Sequence, residues 1–318
     1  MAQRTGAQAI VESLIAQGVD TVFGIISTHM MDVYDCLYDH QDSIRFISTR
    51  HEHAAALMAD GYARVTGKPG VCFTSTGPGA ANSMGGIGEA YFASSPVLTI
   101  TSTAEETLYG RGMGETHATK DQRGMFDSVT QWAHHVTHAD EIPDRIYEAF
   151  QRFQTHRPRP IEIEIPVDIQ GAHADVEIPQ TSQTEPVTGD SDSVEKAASL
   201  LLSGKRVAIW AGTGVLRSGA TEELIHLAES LGVPVYTTPS GKASFPGDHS
   251  LSLGVFGGFP GWSPAPDDDP SIKFVASLDT LLVVGSSLPY AHTKAWGLNL
   301  PNNLVHIDMD PETIGATY

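Results

Sequence analysis

Three segments carry residues whose types and spacing could do chemistry. The first is Arg50-His51-Glu52-His53-Ala54-Ala55-Ala56, where a helical run opens directly after a strand-like stretch. A carboxylate there stands at the carboxyl end of a parallel sheet, where open α/β folds bind ligands. The same acid could simply complement the helix dipole. A zinc protease is excluded, because that motif needs a second His where Ala55 stands. The second segment, Ser75-Thr76-Gly77-Pro78-Gly79-Ala80-Ala81-Asn82, is a strand–turn–helix junction. Small residues let its backbone approach a ligand, and the helix start offers N–H groups; Gly-Pro-Gly is equally a good structural turn. The third is the polar loop His117-Ala118-Thr119-Lys120-Asp121-Gln122. Asp121 and Gln122 read there as site residues or as solvated loop. His29 is a candidate acid–base group or a polar loop residue. His134, His135 and His138 are not read as a metal site, for want of accompanying carboxylate or Cys ligands.

The elements that must position these residues follow from periodicity. Ala7, Ile10, Val11, Leu14 and Ile15 share one helix face that stops at Gly18, and Thr21 to Phe23 reads as a strand. Further strands are expected at Arg45–Ser48, Val71–Thr74, Val97–Thr101 and Pro160–Pro166, with helices from Glu52 to Val65 and from about Ala80. Residues 171–190 lose all periodicity and read as a linker. Beyond it the alternation resumes: helices at Val194–Leu202 and Glu222–Leu231, strands at Val207–Ala211 and near Val235–Thr237, Leu281–Val284 and Leu304–Ile307. The loop from Phe256 to Asp269, rich in Gly, Pro and Asp, is expected at the surface. Strands separated by helices predict mainly parallel sheets covered on both faces. The expectation is α/β: two doubly wound domains, at 1–170 and 191–318.

At 318 residues, with 41% apolar side chains, the chain can build two cores. No apolar run reaches the roughly 20 residues of a membrane span, and no signal peptide is read at the start. Two cysteines fit a reducing, cytoplasmic setting better than a disulfide framework. A net charge of -19 argues against nucleic acid, whose phosphates would be repelled. It fits an ordinary acidic enzyme or the protein of a halophile.

Taken in order, these segments resemble the pyrimidine-binding domain of the acetolactate synthase and 2-oxo acid decarboxylase family of thiamine-diphosphate enzymes. The matching stretches are GVDTVFG at 18–24, RHEHAAALMADGYARVTGKPGV at 50–71, STGPGAANSMGGIGEAYFASSPVLTITS at 75–102 and RPRPIEIEIPVDI at 157–169. GVPVYTTPSGKASFPGDHSLSLG at 232–254 and HIDMDP at 306–311 resemble the same family's Rossmann-like central domain. The resemblance implies that Glu52 hydrogen-bonds a pyrimidine nitrogen of thiamine diphosphate and so activates the cofactor for attack on a 2-oxo acid. It places Ser75, Pro78 and Asn82 at the cofactor and Gln122 near the reacting centre. It implies carboligation of pyruvate to acetolactate, with nonoxidative decarboxylation of a 2-oxo acid as the alternative.

Departures from the family pattern bear on the substrate. Ile25-Ile26-Ser27 replaces the Pro-Gly after Phe-Gly, ahead of Thr28 and His29. The acetolactate synthases' Phe-Gln-Glu is replaced by the 117–122 loop, which resembles the guanidino-oxo-acid decarboxylases. Gly212-Thr213-Gly214 hints at a dinucleotide fold, but Arg217 stands where a third glycine belongs, which argues against NAD. Some acetolactate synthases hold FAD on this domain; Phe256-Gly257-Gly258 replaces their usual Met-His-Gly, so FAD is left open without support. The family binds the diphosphate and Mg²⁺ through a Gly-Asp-Gly followed by Asn, and this sequence contains no Gly-Asp-Gly. The expectation is therefore a half-site: a fragment, one chain of a split pair, or a noncatalytic remnant. A homo-oligomer such as a dimer, or a complex with a chain carrying the diphosphate-binding domain, would complete it.

Overall fold

The computed structural model describes residues 2–182, 188–256 and 269–318, which fall into two compact units, Met1–Glu185 and Pro186–Tyr318. The first unit begins with β1 (Ala2–Thr5) and α1 (Gly6–Ala16), started by a capping box between Thr5 and Gln8. Then follow β2 (Thr21–Gly24), α2 (Met31–Asp39), β3 (Arg45–Ser48), α3 (Glu52–Thr66), β4 (Gly70–Thr74), α4 (Pro78–Ala93) and β5 (Val97–Thr103). The unit ends with α5 (Gln122–Asp127), β6 (Trp132–His135), α6 (Ile142–Thr155), β7 (Ile161–Pro166), α7 (Val167–Gly171) and β8 (His173–Val176). Six strands form one wholly parallel sheet in the order β3-β2-β4-β5-β7-β6.

Both faces of that sheet are covered, so its inner strands β2, β4, β5 and β7 are buried on both sides. On one face Ile10 and Leu14 of α1, Leu37 of α2 and Ile146 and Phe150 of α6 share one buried cluster with Val22 of β2, Val71 of β4 and Ile161, Ile163 and Ile165 of β7. On the other, Ala55, Ala56 and Ala59 of α3 meet Ala80, Ile87 and Ala90 of α4. Double burial has a consequence at β7. Its alternating pattern would ordinarily put one set of side chains in water, yet Glu162 and Glu164 are both fully buried.

The stretch read as linker from residue 171 starts with ordered structure instead. β8 pairs antiparallel with β1, from Ala2↔Val176 to Thr5↔His173. The partner strand lies at the far end of the unit's sequence, so no local pattern announces it. Residues 183–187 of that stretch lie outside the described residues.

The second unit runs α8 (Ser191–Ser203), β9 (Val207–Ala211), α9 (Thr213–Arg217), α10 (Thr221–Leu231), β10 (Val235–Thr237), β11 (Ser252–Val255), α11 (Pro270–Ala276), β12 (Thr280–Val284) and β13 (Asn303–Ile307). Its five strands are parallel in the order β11-β10-β9-β12-β13, a doubly wound, Rossmann-like arrangement. Most of the expected 256–269 loop, residues 257–268, lies outside the described residues, including the glycines on which the flavin reading rests.

Candidate active site

In a doubly wound sheet the ligand crevice lies where the strand order reverses, beyond the carboxyl ends. In the first unit the chain passes from β2 outward to β3, then back across to β4, so the reversal lies between β2 and β4. The segments leaving β2, β3, β4 and β5 are those that carry His29, Glu52, the Gly-Pro-Gly turn and Gln122.

Glu52 is the first residue of α3, and His51 caps that helix by accepting the His53 N–H at 3.2 Å. Asn82 of α4 donates through Nδ2 to Glu52 Oε2 at 3.0 Å. The other oxygen, Oε1, faces Gly79: a Cβ there would lie 3.1 Å from it and 2.9 Å from the Ser75 Cβ. The glycine is thus what leaves room beside the carboxylate. Gly77 caps α4 with φ +55°, a left-handed backbone that favours glycine, and a Cβ on it would strike the His117 carbonyl. Pro78 occupies the first turn of α4, where its missing N–H loses no bond.

Gln122 lies beneath the turn, and it is buried. Its Oε1 accepts the Gly77 N–H at 2.6 Å, while Nε2 donates to Thr101 Oγ1 at 3.1 Å and to the Ser102 carbonyl at 2.9 Å. It clamps the turn. Asp121 is the N-cap of α5, accepting the Gly124 N–H at 2.7 Å.

His29 sits in a short 3-10 turn whose carbonyl accepts from Ser102 Oγ at 2.7 Å and Gln170 Nε2 at 3.1 Å. Its ring lies 5.9 Å from that of His117. Burial, then the charge of His117, lowers its pKa from the ordinary histidine value, so it is neutral near pH 7. The structure therefore gathers Glu52, Ser75 and Asn82 around Gly79, and joins Gln122, His117 and His29 to that group through the same turn. Sequence reasoning missed Thr101, Ser102 and Gln170. They are buried supports without a motif, and only their position at strand ends hinted at a role.

Carboxylates do stand beside two of the three clustered histidines, contrary to the reading that none accompanies them. His134 Nε2 lies 3.1 Å from Glu141, and His135 contacts Glu106 and Glu164 at 2.6 and 3.0 Å. These are histidine–carboxylate contacts, and no group of three or more side chains placed to hold a metal ion is found among the described residues. Nor does any described helix have the length and apolarity to cross a membrane. In the second unit the equivalent reversal point, between β9 and β12, is filled by backbone: Gly214 N–H donates to the Gly285 carbonyl at 3.0 Å.

Two family models match the chain. Residues 4–126 match the N-terminal TPP-binding domain of thiamine pyrophosphate enzymes, and residues 194–318 match the central domain of the same enzymes. A probable acetolactate synthase large subunit from Methanocaldococcus jannaschii is 38% identical over 98% of this chain and 52% of its own length. A probable 2-ketoarginine decarboxylase from Pseudomonas aeruginosa is 37% identical over 99% of this chain and 54% of its own. The acetolactate synthase large subunit of Corynebacterium glutamicum is 34% identical over 98% and 49%. The chain thus spans about half the length of the curated relatives it matches.

Proposed function

The chain belongs to the thiamine pyrophosphate enzyme family, and we propose that it supplies the pyrimidine-binding half of an acetolactate synthase-like site in which Glu52 activates the cofactor. The observation that carries this reading is the Glu52 carboxylate held by Asn82 on one oxygen, with Gly79 leaving space beside the other. That donor set fits a ring nitrogen that must exchange a proton. When bound, thiamine diphosphate supplies the electron sink for loss of a 2-oxo acid's carboxylate. The chain's own part is to hold a proton at Glu52 Oε1, to fix Oε2 through Asn82, and to keep the Gly77-Pro78-Gly79 turn in place through Gln122. Ser75 and Pro78 line the same turn. In this reading the diphosphate and Mg²⁺ are held by a further segment, on this or another polypeptide, with the assembled protein acting as a cytoplasmic oligomer.

Carboligation of pyruvate is the first reading, in keeping with the synthase relatives. Nonoxidative decarboxylation is the second, favoured by one observation: the neighbouring His29 and His117 rings could pass a proton to or from a group in the crevice. Calorimetry with thiamine diphosphate and Mg²⁺, with and without a chain carrying the family's Gly-Asp-Gly segment, tests the half-site. Binding should become tight only in the mixture, and tight magnesium-dependent binding by residues 1–318 alone overturns it. Product analysis of the mixture with pyruvate then separates acetolactate from aldehyde.

A further inference from the structure

One buried group has no part in the reading above. Glu162 and Glu164 stand two residues apart on β7, so both side chains leave the same face of the sheet. Both are wholly buried. Glu162 Oε1 accepts the Thr101 hydroxyl at 2.5 Å, and Glu164 Oε1 lies 3.0 Å from His135 Nδ1. The second oxygen of each has no hydrogen-bond partner among the described residues. His135 reaches Glu106 through its other nitrogen at 2.6 Å, and the Tyr109 ring covers it at 3.8 Å between centroids. The one imidazolium is therefore shared between Glu164 and Glu106, and Glu162 is left without a cation. On α5, Arg123 and Asp127 act on Glu162 with opposite signs and lie 3.8 Å from one another, so their effects largely cancel. A buried carboxylate next to another carboxylate, with no cation of its own, is strongly disfavoured against the neutral acid.

We propose that Glu162 is kept as a neutral carboxylic acid and acts as the positioning residue for Gln122, through Thr101. With the acid proton of Glu162 on Oε2, Oε1 is left to accept the single hydrogen of the Thr101 hydroxyl, which must then accept from Gln122. That choice, with the Ser102 carbonyl, directs the amide nitrogen of Gln122 inward and turns its oxygen onto the Gly77 N–H. Ionising Glu162 would set two like charges side by side on β7, at a cost in stability rather than in the Thr101 hydrogen bond, which a carboxylate would accept as well. The importance of this arrangement for catalysis rests on the proposed reading of that turn as part of the cofactor site.

Burial, then Glu164, pushes the Glu162 carboxyl well above the usual range, against the Thr101 hydrogen bond. His135 is raised too, since Glu164 and Glu106 together outweigh its burial. The folded state thus binds the Glu162 proton more tightly than the unfolded state, so stability is highest below the unfolded value near 4.3 and falls as pH rises toward the folded value.

Infrared spectra and thermal melts of the 318-residue chain test this. Wild type should show a protonated-carboxyl band at neutral pH that fades at alkaline pH and is missing in Glu162→Gln. Between about pH 5 and pH 7 the wild-type midpoint should fall by roughly 3–5 °C relative to Glu162→Gln, in which the other titrations are common to both proteins. The side-chain amide of Gln122 should stay protected from exchange in Glu162→Gln and lose protection in Thr101→Val. No acid band in wild type, or parallel pH profiles, overturns the neutral acid. Unchanged Gln122 protection in Thr101→Val overturns the relay. None of these readouts uses thiamine diphosphate, so a failure of cofactor binding in the assembled protein would overturn the proposed function and leave this inference standing.

Discussion

At Glu52 one exchangeable proton separates the acid from its amide. Glu52→Gln keeps the side chain's size and an oxygen able to accept from Asn82 Nδ2, so α3 and α4 should keep their packing. What disappears is proton exchange. Turnover of the assembled enzyme should drop by roughly 10²–10⁴-fold, while the melting temperature of the chain stays near wild type; near-normal turnover would remove Glu52 from the mechanism. Gly79→Ala probes the space beside the same carboxylate. Its Cβ would lie 2.9 Å from the Ser75 Cβ and 3.1 Å from Oε1, so it should weaken cofactor binding in the assembly by about tenfold or more and cost about 1–3 kcal/mol of stability. Titration calorimetry reads this directly. Residues at this scale were legible in the sequence where type and turn coincide, as at Glu52 and Gly77-Pro78-Gly79. Gln122 was legible as a position; its clamp on the Gly77 N–H was not, because the bond spans 45 residues. Glu162 and Glu164 were hidden by their own pattern, since acids alternating with isoleucine look like the wet face of a strand.

Glu52 and Asn82 stand on different helices, so the site's geometry depends on how closely α3 and α4 approach. Gly86 sets that approach: a Cβ there would lie 2.7 Å from the Ala56 Cβ and 3.1 Å from the His53 carbonyl. Gly86→Val should force the helices apart at a cost of about 1–3 kcal/mol. It should also weaken cofactor binding, because the Asn82–Glu52 bond crosses the same interface; unaltered melting would show that the helices have room to spare. Most of the parallel strands were readable because they are short apolar runs with glycine or proline close by, as at β4, β5 and β9. Four of the elements that escaped did so for three different reasons. α2 and α6 carry many charged residues among their apolar ones, β6 reads Trp-Ala-His-His with no alternation, and β8 finds its partner β1 almost the whole unit away.

Across the whole molecule, 38 acidic residues face 19 basic ones. Several of the cations are already paired, as in Lys68–Asp20 and Arg152–Glu148, so the excess acids meet mainly one another. α2 shows the effect locally. Asp32, Asp35 and Asp39 recur at helical spacing, where like charges repel. Beside them the buried Cys36 thiol is pushed up to about 11, first by burial and then by Glu12, Asp39 and Asp35. Salt acts on such a surface in two opposing ways. It weakens exposed ion pairs, each worth roughly 0–1 kcal/mol, and it screens the repulsion among unpaired acids. With acids in twofold excess the second effect should win. The melting temperature should rise between dilute buffer and about 1 M KCl, where the screening length shrinks to roughly 3 Å. Electrolyte effects on apolar surface would also raise it, so the comparison needs a second arm near pH 4, where many of the exposed carboxylates lose their charge. Self-repulsion predicts a large salt response at neutral pH and a small one in acid. Equal responses at both pH values would assign the effect to apolar burial, and a flat response at neutral pH would leave the charge as ordinary surface acidity.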